Sequence, residues 1–157
     1  MSSPAFSKKD NYSRCMNSAI YSLAMREHSR QEIYNKLTYK GFAEGVNIDS
    51  LLDELEKNNY LNEHRFTKCF IRSRSQRGQG ANKISNDLRQ RGITSHLVNQ
   101  AMSELNIDWY EIACEQREKK FGSAKPTDYK EKARQMRFLS SRGFDAEIIR
   151  SICNASA

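Results

Sequence analysis

The sequence predicts an all-α chain of three tandem three-helix repeats that form an elongated body. Three observations carry this. A heptapeptide ending in basic, Gly, apolar occurs three times: KLTYKGF at Lys36–Phe42, DLRQRGI at Asp87–Ile93 and FLSSRGF at the end of Arg137–Phe144. Its glycines, Gly41, Gly92 and Gly143, recur every 51 residues, in step with Leu37, Leu88 and Leu139 and with Lys40, Arg91 and Arg142. A fixed period of this length marks a repeat architecture. Finally, only 2 prolines occur in 157 residues, and a chain rich in Arg, Lys, Glu, Leu and Ala favours helix.

The heptapeptide reads as a helix end. Leu packs inward, the basic residue meets the negative end of the helix dipole, and Gly takes the left-handed position just past the last turn. Gly41, Gly92 and Gly143 are thus predicted helix C-caps. Apolar residues resume at helical spacing beyond each: Leu97, Val98, Ala101, Met102 and Leu105 after Gly92, and Ile148, Ile149, Ile152 and Cys153 after Gly143. After Gly41 the set Ile48, Leu51, Leu52 and Leu55 is displaced by one residue, which predicts one extra loop residue. The residues before each heptapeptide supply the third helix. The predicted divisions are 1–11 as a flexible N-terminus and 12–61, 62–107 and 108–157 as the repeats.

In order, the first helix is expected over Tyr12–Arg26. Ser29 and Glu32 form a capping box for the second. The third spans Ile48–Asn58, and Tyr60 and Leu61 pack between repeats. Asn62 caps a fourth helix, Glu63–Gln76, whose buried stripe is Phe66, Cys69, Phe70 and Ile71. Gly78-Gln79-Gly80 reads as a turn; with no preceding strand and no following Lys-Ser/Thr it is a weak phosphate-loop signal. The fifth helix covers Asn82–Arg91, Thr94 caps the sixth, and the seventh starts at Asp108 with Trp109 as a core anchor. Asp128–Arg142 forms the eighth, and Asp145 caps the ninth.

The net charge of +7 is uneven. Residues 62–107 carry eight basic and three acidic side chains, or +5, against −1 for 12–61 and +2 for 108–157. Such a field points to a polyanionic or acidic partner. Arg65, Lys68 and Arg72 share one helix face without interleaved acids along it. With Arg74, Arg77, Lys83, Arg89 and Arg91 they are the candidate partner- or DNA-binding residues.

Enzymatic chemistry has no support in the sequence. No paired carboxylates, nucleophile with a recognisable base, or close ligand pairs for a metal are present, so no enzyme activity, metal or cofactor is expected. Cys15, Cys69, Cys114 and Cys153 are far apart and read as buried reduced thiols. His28, His64 and His96 are scattered. With no long apolar run and no visible signal peptide, a cytoplasmic monomer without membrane contact is expected.

The middle stretch carries a resemblance. Tyr60-Leu61-Asn62-Glu63-His64-Arg65-Phe66, followed by Arg72, Arg77, Gly80, Ile84, Leu88, Gly92 and Ile93, resembles the signature of the RecX family of bacterial recombinase regulators. The likeness extends from about Ala19 to Ile152. It departs at Asn59 and Asn62, where the family usually has Gly and Asp, and at Ala81, where Pro is common. The resemblance implies a non-enzymatic protein that lodges in the groove of the RecA–DNA filament. It implies inhibition of the RecA ATPase, strand-exchange and coprotease activities and restricted filament growth, with roles in DNA repair, recombination and the SOS response. Weak single- or double-stranded DNA binding is compatible. An alternative from the residues alone is a DNA-binding regulator using its repeats as helix-turn-helix-like modules. A helical scaffold of the tetratricopeptide kind fits the 51-residue period poorly.

Overall fold

The structure, a computed structural model, describes residues 8–154. Its described residues form nine helices and no strand: α1 (Lys8–Met25), α2 (Arg30–Tyr39), α3 (Ile48–Lys57), α4 (Glu63–Gln76), α5 (Ala81–Gln90), α6 (Ser95–Leu105), α7 (Trp109–Phe121), α8 (Tyr129–Ser141) and α9 (Ala146–Cys153). The chain falls into two compact units, one ending at Thr67 but including Arg91–Ile93, the other made of Lys68–Gln90 and the residues from Thr94 onward.

The first unit is built around Cys15, Ala19, Ile33, Leu37, Leu51, Leu52, Leu55 and Leu61. Five leucines and an isoleucine of that set are almost fully hidden, and each such side chain contributes about 1.5–3 kcal/mol of burial. α1 begins at Lys8, four residues before the expected Tyr12. Lys8–Asn11 are therefore helical rather than flexible; the rest of the expected flexible segment, 1–7, lies outside the described residues. Asn11 explains the extension: it is buried and its Nδ2 donates to the Glu44 carbonyl at 3.1 Å. The loop so pinned is longer than expected. α3 begins seven residues after Gly41, whereas α6 and α9 begin three residues after Gly92 and Gly143. The apolar spacing hid this because a helical pattern shifted by about one turn still overlaps itself.

The Ser29–Glu32 capping box closes reciprocally, with Glu32 N–H donating to Ser29 Oγ at 3.1 Å and Ser29 N–H to Glu32 Oε1 at 3.0 Å. Just before it, His28 is buried with Nδ1 2.9 Å from the Arg26 carbonyl oxygen. Burial pushes its pKa below the ordinary value, a shift that the hydrogen bond to the Arg26 carbonyl partly opposes. Asn59, standing where the resemblance expects Gly, adopts φ 62; Asn is among the residues that tolerate this region. Asn62 Oδ1 accepts from Arg65 N–H at 2.9 Å, so it caps α4 as an Asp would. Leu61 belongs to the core but Tyr60 is exposed, so the expected pairing of the two as packing residues fails at Tyr60.

In the second unit α7, α8 and α9 pack on one another around Ala113, Leu139, Phe144, Ile149, Ile152 and Cys153. α5 and α6 pack together, and Ile84, Leu88, Val98 and Ala101 are buried. Arg117, unremarked in the sequence, is also buried; its Nε donates to Gln135 Oε1 at 3.0 Å and its Nη2 to the Ala124 carbonyl at 2.9 Å, tying down the loop before α8. Trp109 is only half-buried and is not the expected core anchor. It continues the inward stripe of Ala113 and Arg117 by one turn, at the helix end.

Asp108, Asp128 and Asp145 cap α7, α8 and α9, and Thr94 caps α6. α5 has no such side chain, since Gly80 precedes it. Its first turn is satisfied by backbone instead. Gly80 N–H donates to the Arg142 carbonyl at 2.8 Å and Asn82 N–H to the Gly143 carbonyl at 2.9 Å. The carbonyl end of α8 thus meets the N–H end of α5, each supplying what the other lacks.

Candidate binding surface

α4 sets the positions of the predicted cations. Its hidden residues are Phe66, Thr67, Ile71 and Ser75. Thr67 Oγ1 donates to the Glu63 carbonyl at 2.6 Å and Ser75 Oγ to the Arg72 carbonyl at 3.1 Å, so both polar side chains are satisfied locally and pack as small apolar ones. The inward stripe is consequently rotated from the expected one. Cys69, expected buried, is exposed, and Phe70 is half-buried beneath Arg74, whose Cζ lies 4.7 Å from the ring centroid. Of the other thiols, Cys15 and Cys153 are buried and Cys114 is half-buried.

The face expected of Arg65, Lys68 and Arg72 is not uniformly free. Arg65 Nε pairs with Glu27 Oε1, and its Nη2 donates to the carbonyls of Asn59 at 3.2 Å and Tyr60 at 3.3 Å. Lys68 Nζ lies 2.8 Å from Glu104 Oε2, and Arg91 Nε 3.7 Å from Glu32 Oε2. Arg65, Lys68 and Arg91 are thus engaged within the protein. The acids that neutralise them come from distant parts of the chain, which a count along α4 could not find.

Arg72, Arg77, Lys83 and Arg89 are different. All four are exposed, and no carboxylate among the described residues pairs with them. The last of these, Arg89, lines a polar cleft of about 270 Å³ with Asn82, Ser85, Ser95, Val98 and Asn99. Lys83 sits at the joint between α5 and α8: a Cβ added to Gly143 would lie 2.6 Å from Lys83 N. The Gln116 side chain lies against Gly78, next in the chain to Arg77. The turn that follows Arg77 therefore lies against α7, and Lys83 lies against Gly143, the residue after Arg142, connections that the sequence did not show. The available signal was the pair Gly78 and Gly80, where a bare backbone permits close approach.

This arrangement suits binding rather than covalent chemistry. Exposed guanidinium groups without internal partners offer paired N–H donors to phosphate or carboxylate. Among the described residues no group of three His, Cys, Asp or Glu side chains is placed to hold a metal. No described helix is long and apolar enough to cross a membrane.

Comparison with known proteins bears on what the surface meets. Three family models match in order: the first three-helix domain of RecX over residues 15–55, the second over 62–102 and the third over 106–153. Regulatory protein RecX of Halorhodospira halophila is 37% identical over 140 residues, covering 89% of this chain and 86% of its own. Regulatory protein RecX of Salmonella paratyphi B is 36% identical over 161 residues, covering 97% and 96%. Among solved structures, RecX from Lactobacillus salivarius superposes with TM-score 0.75 at 20% identity, covering 93% of this chain and 96% of that one. A second regulatory protein RecX gives TM-score 0.78 at 15% identity, with 99% and 83% covered. At these identities the structures speak for the fold alone.

Proposed function

The chain belongs to the RecX family of regulatory proteins, and from that premise we propose that it is a negative regulator of the RecA recombinase. It binds the RecA–DNA filament, inhibits ATP hydrolysis, strand exchange and coprotease activity, and limits filament growth during repair, recombination and the SOS response. It acts as a cytoplasmic monomer, by binding alone and without a cofactor. The single observation that carries this reading is the ordered match of all three RecX domains along one chain.

The exposed cations support it. Arg72, Arg77, Lys83 and Arg89 hold positive charge that the fold does not consume, and they are the residues proposed to face acidic filament surface. Direct DNA contact is a weaker, salt-labile component. Sedimentation with preformed RecA–DNA filaments, compared with the same DNA bare, tests the reading. Retention on filaments at a salt concentration that releases bare DNA is the expected result. Equal affinity for both would favour a DNA-binding regulator instead.

A further inference from the structure

A second concentration of unneutralised charge lies outside the eight candidate binding residues named from the sequence, in a cleft between α7 and α8. Gln116, Lys119, Lys120, Phe138 and Arg142 line about 250 Å³ of open space. Phe138 meets Phe121 edge to face, with centroids 5.3 Å apart at 89°. Cations lie over these rings. Arg142 Cζ is 5.3 Å and Lys120 Nζ 5.9 Å from the Phe138 centroid, and Arg134 Cζ is 5.2 Å from that of Phe121. Arg134 also reaches Glu131 at 3.3 Å, but no carboxylate among the described residues pairs with Lys119, Lys120 or Arg142.

A cation held over a ring is fixed in place yet keeps N–H donors for another acceptor. Compensation of helix C-terminal dipoles explains why Lys119, Lys120 and Arg142 stand at the ends of α7 and α8. It does not explain their convergence on one cleft, where like charges repel. The charge also continues outward, through the contact of Gln116 with Gly78 toward Arg77 and through that of Gly143 with Lys83.

We propose that this cleft binds the phosphate groups of a nucleic-acid strand. A row of cations fits a polyphosphodiester better than a single anion, since one phosphate occupies the cleft while its neighbours reach toward Arg77 and Lys83. The guanidinium of Arg142 matches phosphate oxygens with two N–H groups, and the Gln116 amide adds a neutral donor. The faces of Phe138 and Phe121 already carry cations, so bases find no stacking platform here. The site holds the backbone and is indifferent to base sequence. This rests on the direct DNA contact proposed above, to which it gives a site, and it does not require RecA.

The test is fluorescence anisotropy of a labelled thirty-nucleotide oligothymidylate across a salt series. Both lysines are exposed, so Lys119→Gln/Lys120→Gln leaves the fold intact, as circular dichroism checks. Its log-affinity against log-salt slope should fall by about 1.4 units, roughly 0.7 per lost phosphate contact, with affinity at low salt down roughly tenfold. Lys9→Gln/Lys57→Gln removes the same charge from exposed positions elsewhere and should leave the slope unchanged. An unchanged slope in the first variant overturns the site, and an equal change in both variants reduces the effect to net charge. Displacement of the oligonucleotide by polyglutamate as effectively as by unlabelled strand would make the cleft an acidic-protein surface instead.

Discussion

Gly41 and Gly143 occupy the same place in their repeats, one residue past a helix C-cap, at φ 80 and φ 95. Both satisfy the same backbone need, a left-handed residue that lets the chain leave the helix. Their surroundings differ. A Cβ on Gly41 would meet nothing within 4 Å, while one on Gly143 would press on Lys83 backbone, 2.6 Å from N and 3.0 Å from Cα. Gly92 is intermediate, since a Cβ there would meet the Gln31 side chain, its Cβ at 3.1 Å. One motif therefore serves as a plain helix stop in the first unit and as a docking point in the second. Conformation is set by the motif; the demand for empty space is set by the neighbour.

Substitution orders these positions. Gly143→Ala should lose about 3 kcal/mol or more, because strain at positive φ adds to a clash with main chain that cannot rotate away. Gly92→Ala should lose about 1–2 kcal/mol, with the flexible Gln31 moving aside, and Gly92→Val more, because a β-branched residue resists this region. Gly41→Ala should lose only about 1 kcal/mol, from strain alone. Urea unfolding of the three alanine variants measures the order; equal losses at Gly143 and Gly41 would erase the distinction between stop and joint.

A smaller effect sharpens the first unit. His28 is buried with its pKa lowered, mainly by burial; nearby Arg26 and Lys36 add to this, and Glu32 opposes it. The unfolded chain then binds the proton more readily than the native one, so stability is present above the ordinary value of 6.5 and declines as pH falls through it. The dependence of stability on pH between 7 and 5 should flatten in His28→Gln, a change that leaves the glycine order untouched.

Legibility followed the range of each interaction. The helix stops, the Ser29–Glu32 box and the Asp and Thr caps are contacts within a few residues, and each is readable from spacing. The Lys68–Glu104 pair and the contact of Gly80 with Gly143 join residues far apart in the chain, and no periodicity announces them. Cys69 misled for a third reason: hydrogen-bonded Thr67 and Ser75 took inward positions that a hydropathy pattern assigns to apolar side chains. The division of the candidate cations into three engaged by carboxylates and four available, with Arg74 held over Phe70, was invisible for the same reason as the long-range pairs.

That division matters most for function, because only unconsumed charge can meet a partner. The direct measurement is DNA-dependent ATP hydrolysis by RecA, titrated with the wild-type chain and with Arg72→Glu/Arg77→Glu/Arg89→Glu. These positions are exposed and outside the core, so the variant should keep its melting profile, while reversed charge at an interface costs several kcal/mol. Slowing at substoichiometric wild-type protein is expected, with a variant that needs at least tenfold more. ATP hydrolysis left unchanged by excess wild-type protein, or a folded variant that inhibits as well as the wild type, would contradict it.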